Sequence, residues 1–340
     1  MRVLITGSAG FIGSYVVGEF LSAGWEVVGL DNFSKYGELR PAHVENPGYR
    51  FVNGDAKDAA LLAELLGGCD HFIAGAAMIG GIAYFHRLAY DLLAENERIT
   101  AAAFEAAIEA HRAGTLQKIT VLSSSMVYEN ASEFPTPEGA ERRSPPPSST
   151  YGFQKLATEY FAQGAHQQYE LPYTIVRPFN CVGIGERRAN ADEEVMSGDV
   201  RLALSHVVPD LVQKVLKGQD PLHILGDGSQ VRHYTYGGDL ARGIRVCVEH
   251  PDAVNEDFNV STAVPTTVLE LAETIWRKIR GPDVPFRYVS DPPFEHDVPF
   301  RSPATDKAKR MLGFEATTSL DSILDEVIPW IRQQIELGTI

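Results

Sequence analysis

The chain has 340 residues, with 30 Lys and Arg against 45 Asp and Glu, so its net charge is −15. That charge repels phosphate backbones and anionic lipid, which argues against a nucleic-acid or membrane-surface partner. The longest uncharged apolar stretch, residues 72–85, is too short to span the roughly 30 Å hydrocarbon core of a bilayer. The cysteines (Cys69, Cys181 and Cys247) are not closely spaced, which argues against a cysteine zinc site and favours a reducing, cytoplasmic compartment.

Strands and helices are predicted to alternate through residues 1–180. The β-branched run 2–6 is typical of a buried parallel strand, and the apolar residues Ile12, Val16 and Phe20 that follow have helical spacing. Similar patterns predict strands at 2–6, 26–30, 49–53, 70–74, 118–123 and 173–177, and helices at 11–23, 58–66, 84–112 and 150–169. Such alternation predicts an α/β fold with a doubly wound parallel sheet.

The second half of the chain has a different composition. Residues 186–201 are charged and lack apolar periodicity, which predicts a mobile surface loop. Shorter elements follow, with helices at 204–217, 238–249, 268–279 and 320–337 and a strand at 222–225. We therefore expect a first domain at 1–180, rejoined by about 231–262, and a smaller substrate lobe built mainly from 181–340.

A glycine motif lies between the first strand and the first helix. Gly7 permits a tight turn, Gly10 lets the main chain approach a pyrophosphate, and Gly13 allows close packing of helix on strand. The first helical amides, at Phe11 and Ile12, then face the phosphates of a dinucleotide. The motif therefore predicts a Rossmann-type dinucleotide site.

An acidic residue at the end of the second strand indicates which dinucleotide binds. Asp31 lies 18 residues after Gly13, where its carboxylate accepts both ribose hydroxyls and repels a 2′-phosphate, so NAD is favoured over NADP. Other candidate cofactor contacts follow the second, third and fourth strands: Asn32, Asp55, Ala56, Ala74 and Ala76.

A second group of residues indicates proton-transfer chemistry. Ser123 and Ser124 end the fifth strand, at the sheet edge where ligands bind in open α/β folds. Tyr151 and Lys155 open the next helix four residues apart, on one face. The lysine ammonium and an oxidised nicotinamide lower the pKa of the phenol, so that Tyr151 accepts a proton from a substrate hydroxyl that Ser124 orients.

These motifs together resemble the extended short-chain dehydrogenases/reductases, in the NAD-dependent nucleotide-sugar epimerase/dehydratase family. The resemblance runs from residue 1 to about 335 and rests on GSAGFIG, LDNFS, GDAKD, AGAA, SSSMVY, YGFQK, RPFN and ILGDGSQVRHY. It implies an NAD cofactor, a nucleotide-diphosphate sugar as substrate, and a homodimer formed through the helices that begin near Tyr84 and Thr150.

The resemblance also assigns roles to residues. Ser124, Tyr151 and Lys155 match the catalytic Ser/Thr, the base, and the lysine that holds the nicotinamide ribose. Asn96 matches an asparagine near the cofactor, and Ser123 is expected to contact the cofactor as well. Expected substrate contacts are Gly80, Gly81, Ser124, Ser125, Met126, Asn180, Val208, Arg232 and Arg301, with both arginines directed at the diphosphate. No metal is expected, because His86, His206, His223 and His233 lack the spacing of metal ligands.

The residues after Ser124 bear on the reaction. Dehydratases of this family place Asp and Glu there, whereas this chain has Ser125 and Met126, neither of which is a carboxylic acid. This predicts epimerisation, most simply at C4, by transient oxidation to a 4-keto sugar and return of hydride to the opposite face. Three alternatives stay open: a 3,5-epimerase, which the Gly80-Gly81 loop resembles, a dehydratase-type modification, and a non-catalytic NAD-binding sensor or scaffold.

Overall fold

The computed structural model describes residues 1–79, 88–187, 195–198, 200–202, 206–293 and 298–340. The predicted substrate contacts Gly80 and Gly81, like the histidine at 86, lie outside the described residues. The strands are β1 Arg2–Thr6, β2 Glu26–Asp31, β3 Tyr49–Asn53, β4 His71–Ala74, β5 Lys118–Leu122, β6 Tyr173–Pro178, β7 Cys181–Val182, β8 Val195–Ser197, β9 Val200–Leu202, β10 Leu222–Leu225, β11 Val231–Arg232, β12 Thr235–Tyr236, β13 Glu256–Val260, β14 Thr266–Thr267 and β15 Tyr288–Asp291.

The α-helices of the described residues lie mostly where apolar periodicity predicts them. They are α1 Phe11–Ser22, α2 Ala59–Leu66, α3 Ala89–Arg112, α4 Thr150–Tyr169, α5 Val207–Leu216, α6 Gly237–Glu249, α7 Val268–Arg280, α8 Asp306–Leu312 and α9 Leu320–Glu336. Side-chain caps fix several of their first turns. Ser149 accepts a hydrogen bond from the Gly152 amide and thereby caps α4, which starts one residue before Tyr151.

Seven parallel strands form the main sheet, in the order β13-β6-β5-β4-β1-β2-β3. Side chains alternate between its two faces, so Val3 and Ile5 pack with α1 and α6 while Leu4 packs with α2 and α3. β1 pairs with β2 on one side and β4 on the other, which makes the carboxyl end of β1 the point where the winding reverses. The predicted doubly wound α/β fold is confirmed.

The later chain segments contribute to two places. β13 adds the last strand of the main sheet, beside β6. A separate hydrophobic core forms between α5, α7 and α9, around the fully buried Leu271, Trp276 and Ile331, and β10 pairs with β15 beside it. The loop bearing Pro299 and Arg301 then runs along β11.

Part of the stretch predicted to be a mobile surface loop forms two paired strands. β8 and β9 pair antiparallel, and all of this hairpin except its last residue lies within 186–201. Gly198, which follows β8, has φ +56°. Main-chain hydrogen bonds and the turn glycine hold this hairpin, and apolar periodicity does not reveal either. Strands β7 and β11 to β15, and helix α8, were also not predicted.

Among the described residues, no helix combines the length and apolar character needed to cross a membrane. All three cysteines are free thiols, and Cys69 and Cys247 are buried.

Candidate active site

The glycine turn is shaped by contacts that leave no room for side chains. Gly7 has φ +74°, and a Cβ on it would lie 3.1 Å from the Ala76 main chain. A Cβ on Gly13 would lie 2.0 Å from the Gly7 carbonyl oxygen. The Gly10 amide donates to that same oxygen at 3.1 Å, and α1 begins at the next residue. The turn therefore brings the positive end of α1 against the carboxyl edge of the sheet.

Asp31 connects this turn to the loop after β2. Its Oδ2 accepts from the Ala9 amide at 3.1 Å and its Oδ1 from the Phe33 amide at 2.8 Å. A carboxylate offers about four lone-pair positions, so two are left for other donors. The side-chain oxygens of Asn32 and Asp55 each accept a hydrogen bond from the main-chain amide two residues further along the chain, at Ser34 and Lys57.

A small cavity lies under the end of β4, and several predicted cofactor residues line it: Ala56, Ala74, Ala76, Asn96 and Lys155. Asn96 holds the loop after β4 in place, because its side chain accepts from the Met78 amide at 2.6 Å and donates to the Met78 carbonyl at 2.9 Å. Thr6 also lines this cavity, and its Oγ1 accepts from the amides of Gly75 and Ala76, both at 3.2 Å. Sequence reasoning missed Thr6, since a β-branched residue at a strand end is typical of the core.

Ser124 and Tyr151 meet at the end of β5. The Tyr151 phenol is hydrogen-bonded to Ser124, and the phenol ring is buried against Leu92 and Met126. Ser124 begins the short 3₁₀ helix Ser125–Tyr128 and accepts from the Met126 amide at 3.2 Å. The structure therefore brings together the Ser124 hydroxyl and the Tyr151 phenol, the two groups that are expected to act on one substrate oxygen.

Lys155 lies one turn after Tyr151 and is almost fully buried. Its Nζ donates to the Leu122 carbonyl oxygen at 2.9 Å. Burial lowers the pKa of Lys155 to about 8, and the nearby Glu159 carboxylate partly opposes that fall. At neutral pH the amine is still mostly charged, since a pKa of about 8 lies above 7.

The electrostatics of Tyr151 differ from the expectation. Burial raises the pKa of Tyr151 above its ordinary value, while the Ser124 hydrogen bond and the Arg301 cation lower it by less. In the protein without ligands, the desolvation of a buried phenolate outweighs the favourable contacts, and the expected lowering by Lys155 together with an oxidised nicotinamide stays a prediction. The Arg301 effect was not anticipated, and it places that guanidinium within electrostatic reach of the phenol.

The expected diphosphate contacts lie close together. Arg301 donates its main-chain amide to the Val231 carbonyl at 3.2 Å, directly beside Arg232. The Arg232 side chain is held by the Val231 and Pro299 carbonyls, at 2.9 and 3.3 Å. Asn180 has φ +36°, and its buried Nδ2 has no hydrogen-bond partner among the residues that the structure describes. An orphaned buried donor is costly in a folded protein, and a ligand oxygen would satisfy it.

Other predicted contacts have different surroundings. The Ser123 hydroxyl donates to the Glu159 carboxylate at 2.5 Å. Val208 is 1% exposed and packs in the hydrophobic core between α5, α7 and α9. Ser125 and Met126 are both buried beside Ser124, and Met126 contacts the Tyr151 ring. In the described part of the chain, no three metal-ligating side chains form a group.

The residues at the sheet edge fit a dinucleotide. A crowded glycine turn gives a pyrophosphate access to main-chain amides, and the Asp31 carboxylate still has lone pairs for ribose hydroxyls. The same carboxylate disfavours a 2′-phosphate by charge repulsion. Ala74, Ala76 and Lys155 line the same small cavity, and the two alanine side chains allow close approach to the main chain there.

Comparisons with known proteins point in the same direction. The model of the NAD dependent epimerase/dehydratase family matches residues 3–261. The chain is 27% identical to a UDP-glucose 4-epimerase of Lacticaseibacillus casei, over 97% of this chain and 96% of that protein.

Solved structures are similar over nearly the whole chain. A UDP-glucose 4-epimerase from Thermotoga maritima, crystallised with UDP-glucose, has a TM-score of 0.80 and 29% identity, and the match covers 98% of this chain and 100% of that one. A dTDP-glucose 4,6-dehydratase from Streptomyces venezuelae, crystallised with NAD, has a TM-score of 0.82 and 26% identity, with 99% and 98% covered.

Proposed function

The chain belongs to the NAD dependent epimerase/dehydratase family, and from that premise we propose that it epimerises a nucleotide-diphosphate sugar at C4. The observation that carries this proposal is the hydrogen bond between Ser124 and Tyr151, with Lys155 one helical turn away. The similarity to UDP-glucose 4-epimerases supports it, since the match covers almost all of both chains.

NAD, when bound, supplies the acceptor and donor of hydride at the sugar. Gly7, Gly10, Gly13 and Asp31 would hold it along the glycine turn, with the Asn96-anchored loop and Lys155 at the other end of the site. We assign Lys155 to the ribose next to the nicotinamide, as the family resemblance implies. Its buried charge also stabilises a phenolate on the same helix face.

Tyr151 would transfer the substrate proton, and Ser124 would orient the oxygen that carries it. Tyr151 Oη accepts the proton of the sugar hydroxyl at the reacting carbon and later returns it, while Ser124 Oγ orients the same oxygen. Burial keeps Tyr151 protonated in the protein alone. Ionisation therefore depends on positive charge brought to the site with the ligands, which couples proton transfer to their binding.

Arg232, Arg301 and Asn180 would bind the diphosphate. The guanidinium groups lie on neighbouring main-chain segments, and a planar fork suits phosphate oxygens. The electrostatic effect of Arg301 on the pKa of Tyr151 supports a shared cleft for diphosphate and sugar. This local positive charge explains how a chain of net charge −15 accepts anionic ligands.

Elimination of water is the second candidate, because a 4,6-dehydratase is among the similar structures. The residues after Ser124 argue against it. Ser125 and Met126 supply no carboxylic acid. A 3,5-epimerase is disfavoured by Met126 as well, since a thioether does not transfer protons.

The test uses the purified protein with UDP-glucose, UDP-N-acetylglucosamine, UDP-glucuronic acid, dTDP-glucose and GDP-mannose in deuterated water. We expect one of them to give its C4 epimer without solvent deuterium. Label at C3 or C5 would instead indicate a 3,5-epimerase, and a product lighter by one water a dehydratase. No turnover of any sugar nucleotide despite NAD binding would favour a sensor or scaffold.

We also propose that the chain acts in the cytoplasm as a homodimer. Its free thiols support a reducing compartment. An open groove runs between the outer faces of α3 and α4, lined by Phe104, Ile108, Phe153 and Tyr160 among others. Phe153 is 48% exposed and Tyr160 63%, which is unusual for large side chains grouped on one face.

A further inference from the structure

A buried ionic network lies behind the candidate active site, and its centre is Arg177. This residue of β6 is fully buried and has no part in the proposed function, although it belongs to the RPFN motif. It forms a bidentate pair with Glu159 of α4, with Nε to Oε1 at 2.8 Å and Nη2 to Oε2 at 2.6 Å. Such a planar pair fixes both distance and orientation.

Glu159 joins the network to the proton-transfer residues. It follows Lys155 by four residues, as Lys155 follows Tyr151, so all three lie on one face of α4. The Glu159 carboxylate also accepts from the Ser123 hydroxyl at 2.5 Å, immediately before Ser124. One carboxylate therefore contacts both the helix and the strand end that carry the candidate catalytic side chains.

The other side of Arg177 contacts two further segments. Its Nη1 donates to the Tyr128 hydroxyl at 2.7 Å and to Asp257 Oδ2 at 2.6 Å. Tyr128 ends the short helix that Ser124 begins, and its hydroxyl donates to Asn259 Oδ1 at 3.0 Å. Asn259 Nδ2 in turn donates to the Ala304 carbonyl at 3.1 Å, three residues after Arg301. The network thus reaches every segment that carries a proposed proton-transfer residue or Arg301.

We propose that Arg177 is a positioning residue, which holds the Glu159 charge away from Lys155 and fixes the Ser125–Tyr128 helix so that Ser124, Tyr151 and Lys155 keep their relative places. The inference rests on the proposed function for the roles of those three residues. Stability alone does not account for such a network, because a buried ion pair is often no more stabilising than an apolar replacement.

Lys155 is the group most sensitive to the loss of Arg177. The Glu159 charge already raises the pKa of Lys155 against burial. Without the Arg177 cation, Glu159 would draw the Lys155 ammonium toward itself, away from the Leu122 carbonyl and from Tyr151. The other ionisable groups that face Arg177 are Tyr128, Glu141 at 3.5 Å and Asp257, and Asp257 is paired with Lys307 at 2.7 Å.

The first experiment measures Lys155 ionisation and requires no turnover. Full-length protein with isotope-labelled lysine side chains is titrated by NMR, and the Lys155 signal is assigned by its loss in Lys155→Arg. We expect Arg177→Met to raise the pKa of Lys155 by about one unit or more, and Glu159→Gln to lower it. Arg177→Lys keeps the charge and should stay near the wild type. If the pKa of Lys155 is unchanged in Arg177→Met and Glu159→Gln, or shifts in the same direction in both, the proposal is overturned.

The second experiment measures kinetics on the sugar nucleotide that the wild type turns over. Arg177→Met should lower kcat about 100-fold with little change in KM, because misplacing a reacting group by about 1 Å has an effect of that size. Tyr128→Phe removes only the hydroxyl link and should lower kcat less. If KM rises while kcat is retained, the positioning role is wrong.

The two proposals fail in different ways. A wild type without activity would contradict the proposed function, while the Lys155 titration would still decide the role of Arg177. Circular dichroism shows whether each variant is folded. If Arg177→Met does not fold, Glu159→Gln and Tyr128→Phe are measured in its place. An unchanged pKa of Lys155 in Glu159→Gln then overturns the positioning proposal.

Discussion

Gly13 lies so close to Gly7 that a Cβ on Gly13 would stand 2.0 Å from the Gly7 carbonyl oxygen. Neither group can move easily, because the first is in helix α1 and the second directly follows β1. This contact holds the start of α1 at the switch point of the sheet, where we place the pyrophosphate of NAD.

Gly13→Ala should therefore weaken both the fold and NAD binding. We expect a loss of about 1–3 kcal/mol in the free energy of unfolding, as for overpacked sites, and NAD affinity reduced at least about tenfold. Thermal unfolding and calorimetric titration with NAD measure the two effects. Gly18→Ala is the matched control in the same helix, because its Cβ would meet only the exposed, movable His43 side chain. Equal behaviour of the two variants would contradict the packing argument.

Asp31 is predicted to select NAD against NADP. Asp31→Asn removes the charge that repels a 2′-phosphate and weakens acceptance from ribose hydroxyls. A hydrogen bond to a charged group contributes about 1.5–3 kcal/mol, so NAD affinity should fall roughly tenfold or more while NADP affinity rises. Separate titrations with the two nucleotides measure this. If the ratio of the NAD and NADP dissociation constants stays unchanged, Asp31 does not recognise the ribose.

Buried His71 should make the protein sensitive to acid. Burial and the neighbouring Lys118 lower the pKa of His71 to about 4, from 6.5. Because the unfolded chain then binds the proton more readily, the free energy of unfolding falls as pH drops from 6.5 to 4. The contribution is about 3 kcal/mol at most.

The check compares the wild type with His71→Phe, which keeps a ring beside Trp25. Urea unfolding at pH 7 and pH 4.5 should show a smaller loss of stability in the variant, since every other titrating group is shared. Equal losses of stability between pH 7 and pH 4.5 in the wild type and the variant would mean that His71 does not contribute to the acid sensitivity.

The exposed aromatic side chains on α4 should form a dimer interface. Aromatic side chains at the centre of an interface typically contribute about 2 kcal/mol or more each. Phe153→Glu combined with Tyr160→Glu is expected to give a monomer in light scattering, whereas Val254→Glu, at an exposed site on another face, should leave the mass unchanged. A wild type that is monomeric at micromolar concentration would refute the dimer.

Local signals in the sequence were enough to predict six of the seven strands of the main sheet, the glycine turn and the Tyr151–Lys155 pair. Each depends on residues within a few positions of one another, so spacing alone reveals it. The pairing of Val231 with the segment at Pro299 is different, because it joins residues 68 apart through main-chain hydrogen bonds. The influence of Arg301 on Tyr151 therefore needed the structure.

Buried polar residues were the hardest to predict. Thr6, Glu159 and Arg177 have ordinary identities in their elements, and nothing in the spacing shows that their polar atoms meet inside the molecule. The hairpin β8–β9 was missed for a related reason, since its order comes from main-chain pairing in a stretch without apolar periodicity. Asn96 was predicted from a resemblance, and the structure adds that it anchors the Met78 main chain.

Tyr151→Phe tests the proton-transfer assignment. The variant should bind NAD and the sugar nucleotide nearly as the wild type does, yet lose at least about 100-fold in kcat, as expected when a general base is removed. Tyr288→Phe, at an exposed site on β15, is the matched control. Retained turnover in Tyr151→Phe would exclude the phenol as the base.

The most direct measurement follows a deuterium label at C4 of the sugar nucleotide, in ordinary water, with the wild-type protein. If the hydroxyl proton goes to Tyr151 and the carbon-bound hydrogen returns to the same carbon, the C4 epimer retains the label at C4. Loss of that label to water, or a product inverted at C3 or C5 instead, would contradict 4-epimerisation at this site.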